Sequence, residues 1–391
     1  MANRHGRLAH LAALRESPGY PLAPVATGDL AWETIRQCKA AAGKPKFPIW
    51  ILEILACVYY AIARQNKTVA EATFKSGDAI VCALWEMRPG TVSAHLVRAV
   101  GNYSRSRVVH HDDARRKSLL ELADRDANAC LEIDPDNPAL WALRIEIDTA
   151  LMRLPGEADA RMRAERITRL CVRLEQRGPL ELDAMWSFMR AQQELWGGGT
   201  SKEEIGSLAA AIMLSEALLV RDPDPGTLHG ELALMLREML HTRPCADDKY
   251  WQILRRLVDV VGDCPSGDDL ALEVLDEVEQ DHLRPNLEGL VEPSAKRLLD
   301  GVFARIALVR CKALRRRGQD VSEKLRCALT IYERLVGASP EVVLIHEDLA
   351  ALYCGLGDQD AVEREVEIIR RLQPDRVPVV RQELKAWARG A

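Results

Sequence analysis

The sequence predicts an all-α chain built from stacked helical hairpins, on three observations. Apolar residues recur with helical period through most of the chain. Prolines interrupt these patterns at Pro89, Pro135, Pro179, Pro223, Pro265, Pro340 and Pro374, with gaps of 46, 44, 44, 42, 75 and 34 residues. Ala, Leu, Arg and Glu dominate a chain that is only 5% aromatic, which favours helix over sheet. Proline stops a helix because it lacks the N–H and clashes with the preceding turn, so evenly spaced stops mark a repeating helical unit. The gap of 75 is close to two units and predicts a further boundary near Pro293.

At the N-terminus, MANRHGRLAHLAALR puts Leu8, Leu11 and Leu14 on one face of a basic helix and lacks the continuous apolar core of a secretory signal. A docking or capping helix is the reading. Residues 15–29 carry three prolines and two glycines and read as a linker or an extended wrap. A helix follows Asp29, with Trp32, Ile35 and Cys38 apolar, and stops before Gly43-Lys44-Pro45. Residues 1–44 thus form an extension with a capping helix, 45–374 a repeat array, and 375–391 a second cap, expected to pack on 359–373 through Leu384 and Trp387.

Within the array each unit splits into two helices. The predicted pairs are 47–65 with 67–87, 91–107 with 111–133, and 138–153 with 158–177, the last broken at Pro155-Gly156. Next come 180–196 with 201–221, broken at Gly197-Gly198-Gly199, and 226–241 with 247–262, broken at Arg243-Pro244. Helices at 268–281 and 293–317 lead to the last units at 320–337, 341–356 and 359–373, and 375–389 closes the chain. One amphipathic hairpin cannot bury its apolar face alone, so such units must stack.

The stretch from Ala328 to Pro374 states the unit most clearly. Leu349, Ala350 and Tyr353 share one helical face, Gly357 breaks the pattern, and Val362, Val366 and Ile369 form a second face before Pro374. In period, residue type and order this resembles a tetratricopeptide (TPR) repeat. ANACLEIDPDNP, ending at Pro138, and RDPDP at 221–225 are similar closing segments. The resemblance implies an α-solenoid, a right-handed superhelix of about seven to nine hairpins, some in long units of 42–46 residues. It also implies that the first helix of each hairpin lines a concave groove. On that register the contact residues are Glu146, Trp186, Arg190, Gln193, Glu231, Arg237 and Glu238. Arg190 and Arg237 are expected to face one acidic partner. Arg98-x3-Asn102 is similar to a fragment of the clamp with which TPR grooves hold chaperone tails, but the following first helices lack its other members.

No chemistry-bearing motif stands beside this. His110-His111-Asp112-Asp113 are adjacent in sequence, so their side chains diverge; they read as a polar turn. His241, Cys245, Cys264 and His282 are zinc-ligand types without a compact spacing. Gly197-Gly198-Gly199 lacks the Lys and the preceding strand of a phosphate loop. Residues 263–292 hold ten Asp or Glu against one Arg and read as a solvated acidic face. Arg315-Arg316-Arg317 complements a helix end. The expectation is a non-enzyme with no cofactor and no metal.

Net charge −5 and a pI near 6.1 argue against a dedicated nucleic-acid binder. No apolar run is long enough for a membrane span. Ten cysteines include no Cys-x-x-Cys pair; Cys57, Cys130, Cys171, Cys311, Cys327 and Cys354 lie among apolar residues and are expected as reduced core residues of a cytoplasmic protein. The function that follows is a scaffold or adaptor binding a peptide or partner protein in its groove. The alternative is a regulatory sensor whose array changes shape on binding a peptide or small molecule.

Overall fold

The computed structural model describes residues 29–42, 49–66, 68–109, 111–221, 226–242, 248–263, 268–283 and 293–388. Every regular element among them is helical. The chain divides into two compact units at Gly199 and Thr200. That division falls inside the predicted hairpin 180–196 with 201–221.

The first unit holds α1 (Asp29–Ala42), α2 (Trp50–Gln65), α3 (Ala70–Met87), α4 (Val92–Val108), α5 (Asp113–Ile133), α6 (Pro138–Met152), α7 (Ala160–Glu175) and α8 (Leu182–Trp196). Local chemistry sets their ends. Pro89 and Pro135 each stand two residues past the last helical residue. Thr91, Asp112 and Asn137 cap the helices that follow, their side chains accepting from the N–H groups of Ala94, Arg115 and Ala139. Such caps satisfy N–H groups that have no partner within the helix.

Successive helices pack as hairpins, and α2, α4, α6 and α8 also touch in order, while α3, α5 and α7 make no comparable contact with one another. The first helices therefore form one layer. Contacts near their N-termini and near their C-termini match. Ser93 early in α4 donates to Glu53 early in α2 at 2.6 Å, and Tyr60 late in α2 lies against Gly101 late in α4. Helices in the layer run parallel.

The core of this unit joins Ile51, Ile54, Tyr60, Val97, Leu120 and Leu143. Tyr60 fits only because Gly77 and Gly101 flank its ring, where an added Cβ would lie 2.6 and 2.7 Å away. A buried ionic network ties α5, α6 and α7. Arg144 and Asp148 are both fully buried and bonded at 3.0 Å; Arg144 also reaches Asp124 at 2.6 Å, and Arg163 and Arg166 reach Asp148 at 3.0 and 2.7 Å. Burial pushes the Arg144 guanidinium below its ordinary range, while the two aspartates pull it back.

The second unit holds α9 (Lys202–Arg221), α10 (Gly226–His241), α11 (Asp248–Asp263), α12 (Asp268–Glu277), α13 (Pro293–Arg316), α14 (Ser322–Ala338), α15 (Val343–Leu356), α16 (Gln359–Leu372) and α17 (Val377–Ala388). The predicted helix 268–281 is α12 continued by a wider π turn over Val278–Leu283. Pro293 opens a 24-residue helix, the first-turn position where its missing N–H costs nothing. Gly357, at φ 82°, ends α15 in the left-handed conformation; its N–H donates to Cys354 O and that of Asp358 to Tyr353 O, the paired bonds that close a helix around glycine.

Leu349, Ala350, Val362, Val366 and Ile369 are buried in one core with Tyr332. Tyr332 donates to Asp348 at 2.7 Å, and Arg305 bridges Asp259 on α11 and Asp348 on α15 at 2.7 and 2.5 Å.

Two expectations are corrected. Cys57, Cys130, Cys171, Cys311 and Cys354 are buried, but Cys327 is exposed: its apolar neighbours Leu325 and Ala328 point to the core and it does not. In α17, Val377, Val380, Leu384 and Trp387 are buried as one face, but they seat chiefly on α15 rather than on 359–373. Gly355 explains this. A Cβ there would lie 2.9 Å from Trp387 Nε1, so only glycine admits the indole, and Lys312 and Arg315 of α13 lie over its ring at 5.6 and 5.3 Å.

Candidate binding face

The parallel layer in the first unit brings the C-terminal ends of α2, α4 and α6 side by side. Each end carries an arginine: Arg64 in the last turn of α2, Arg107 in the last turn of α4, and Arg153 at the C-cap of α6. A cation at a helix C-terminus complements the helix dipole, which accounts for each one singly. Together they repel. Burial lowers the Arg64 guanidinium and the charge of Arg107 lowers it further; burial lowers Arg153, and so do Arg190 and Arg107. Arg107 and Arg153 are exposed and make no ion pair within 4 Å among the described residues.

Glu146 stands at the centre of this row. It is half-buried on α6 and accepts the hydroxyl of buried Tyr103 on α4 at 2.7 Å. Burial pushes its carboxyl above the ordinary range and Asp183 adds to the rise; the Tyr103 bond and the guanidiniums of Arg107 and Arg64 pull the other way. Three guanidiniums, those of Arg64, Arg107 and Arg153, thus interact with the Glu146 carboxylate, with Arg190 acting on Arg153 and Asp183 on Glu146.

Of the residues chosen from register, Glu146, Trp186, Arg190 and Gln193 lie in the first unit. Trp186 is half-buried on α8, and Arg190 Nη1 donates to Gln193 Oε1 at 3.1 Å. Glu231, Arg237 and Glu238 are half-buried on α10 in the second unit. Arg237 Nε donates to Glu277 on α12 at 2.8 Å, so its charge already has a carboxylate from its own chain. Register missed Tyr103, Arg64, Arg107 and Arg153. The signal of the three arginines is a cation at the end of alternate helices, visible only once the hairpins are paired.

Other sequence features are absorbed by the fold. Asp112 is a helix cap, and His110 lies outside the described residues. Arg98 belongs to no open clamp: it donates to both oxygens of Asp126 and stacks over Trp85 at 4.3 Å. In the acidic stretch, Asp276 and Glu279 bind Arg310 at 2.6 and 2.8 Å, and Glu277 binds Arg237. Cys245, Cys264 and the side chain of His282 lie outside the described residues, and His241 sits 3.9 Å from Glu277. Among the described residues no helix is long and apolar enough to cross a membrane.

No protein-family model matches the chain, and no curated protein matches it. Among solved structures it is similar to a monomeric mutant of IFIT1 with Gppp-AAAA, at 16% identity over 96% of this chain and 81% of that one, with a TM-score of 0.26. It is also similar to the human IFIT1 dimer with m7Gppp-AAAA, at 17% identity, 93% and 77% coverage and a TM-score of 0.23. A third is the human IFIT1 dimer with PPP-AAAA, at 17% identity, 92% and 75% coverage and a TM-score of 0.23.

Proposed function

We propose that the chain is a TPR-like scaffold that binds a peptide or partner protein on the layer of first helices, α2, α4, α6 and α8. One observation carries this reading. The layer presents Arg107 and Arg153 to solvent with no ion pair within 4 Å among the described residues and only the shared charge of Glu146 nearby, while Arg237, Arg305 and Arg310 of the other unit each bind a carboxylate of the chain at 2.6–2.8 Å. Like charges held together lower stability, and an opposite charge brought by a partner relieves the repulsion. The role is binding rather than catalysis, since the cluster pairs guanidiniums with one hydrogen-bonded carboxyl and offers no nucleophile beside a base.

Site-specific photo-crosslinking tests it. A photoreactive residue at Ala142, which shares the Glu146 face of α6, is compared with one at exposed Glu121 on α5. A protein partner captured from Ala142 and absent from Glu121 supports the layer as the binding face. Capture from Glu121 alone, or from neither, overturns it.

A further inference from the structure

The binding face also carries a spacing, and the spacing suggests what it reads. This rests on the scaffold reading above and narrows the partner's chemistry. Arg64, Arg107 and Arg153 end three consecutive parallel helices of one layer. Each feels its neighbour in the row: Arg64 feels Arg107, and Arg153 feels Arg107 on one side and Arg190 on the other. Packed helices lie about 8–10 Å apart. A peptide in the polyproline II conformation advances about 3.1 Å per residue with three residues per turn, so every third side chain recurs on the same side at roughly 9 Å. We propose that the row is a ladder for an acidic peptide in the polyproline II conformation whose Asp or Glu residues recur at every third position, with Arg107 and Arg153 as its two open rungs.

The internal carboxylate fits this role. Glu146 touches Tyr103 and lies among the same guanidiniums, so it offsets part of their repulsion while the face is empty. Arg107 and Arg153 remain exposed and available to an incoming carboxylate. A single-stranded nucleic acid asks for something else, a continuous basic track with aromatic faces on which bases stack. Here the ring of Tyr103 is buried in the layer, and the chain as a whole is acidic at −5. Peptide carboxylates are therefore the better match.

The test uses the full chain and three fluorescent probes: a peptide repeating Glu-Ser-Ser, a peptide of the same composition with its glutamates bunched at one end, and a poly-uridine RNA of similar length. Fluorescence anisotropy reads binding at low and at physiological salt. The repeating peptide is expected to bind more tightly than the bunched one, and to weaken as salt rises. Replacing both open rungs, Arg107→Ser with Arg153→Ser, should weaken it roughly tenfold, the scale of two solvent-facing ion pairs. Arg107→Lys with Arg153→Lys should keep most of the affinity, which separates lost charge from a damaged fold. Equal binding of the two peptides overturns the ladder. So does a serine double variant that binds as the wild type does, or an RNA that binds more tightly than either peptide. A partner crosslinked at Ala142 together with no preference between the peptides would remove the ladder and leave the scaffold standing. A preference lost in the serine variant with no partner crosslinked at Ala142 would uphold the ladder as a peptide site and remove only a stable protein partner from the scaffold reading.

Discussion

Replacing Asp148 by Asn should cost the first unit more than any other change of one atom type in it. The Asp148 carboxylate is fully buried and accepts five bonds: from Arg144 Nε and Nη2 at 3.0 and 3.2 Å, from Arg163 Nη1 at 3.0 Å, and from Arg166 Nε and Nη2, both at 2.7 Å. Asparagine keeps the shape but removes the charge and turns one acceptor into a donor facing guanidinium donors. Asp124 still holds Arg144 at 2.6 Å, so the loss is partial for that arginine. Breaking a buried pair of this kind costs about 3–5 kcal/mol. For a domain of this size each kcal/mol moves Tm by about 2–4 °C, so a fall of about 10 °C is expected. Hydrogen exchange during thermal unfolding reads the effect by segment. Protection should drop in 113–133, 138–152 and 160–175, with α14 to α16 as the internal control. A Tm change under about 2 °C, or an equal loss of protection in α14 to α16, would refute the claim that this network holds α5, α6 and α7 together.

Three further outcomes are expected. Gly101→Ala should destabilise the fold by about 1–3 kcal/mol of overpacking, read as a lower urea midpoint, because its Cβ would meet the Tyr60 ring at 2.7 Å while Gly77 and a 2.9 Å bond to Asp78 keep that ring in place. Gly206→Ala in α9, with nothing within 4 Å, should raise the midpoint, and a Gly101→Ala protein no weaker than wild type defeats the packing account. Glu146 binds its proton more tightly folded than unfolded, so its contribution to stability is greatest at low pH and falls as pH rises from the ordinary value of 4.5 through the raised one. Glu146→Gln, which still accepts from Tyr103, should remove that decline and be at least as stable as wild type at pH 7; titration of denaturant midpoints that leaves the pH profile unchanged would contradict it.

Much of the fold was legible in the sequence because helix ends are decided locally. A proline just past a helix, a glycine that takes a positive φ, or an Asp, Asn or Thr at an N-cap acts within a turn of itself, and so the predicted helices match the observed ones to within a few residues. The apolar faces were legible for the same reason: Leu349, Val362, Val366 and Ile369 needed only helical period to be placed inside. Register also put Glu146, Trp186, Arg190 and Gln193 on first helices. What the sequence by itself did not determine was which charges meet. Tyr103 and Glu146 are 43 residues apart, and Arg237 and Glu277 are 40 apart. Such pairs form only when hairpins stack at one particular offset, and no local rule sets that offset. The same is true of α17, which followed the space over Gly355 on α15 rather than the helix next to it in sequence. Tertiary structure decided that Arg237 is paired at 2.8 Å with Glu277 while Arg107 and Arg153 only share Glu146 at longer range, because a guanidinium is satisfied or left open only by what the packing of distant helices brings beside it.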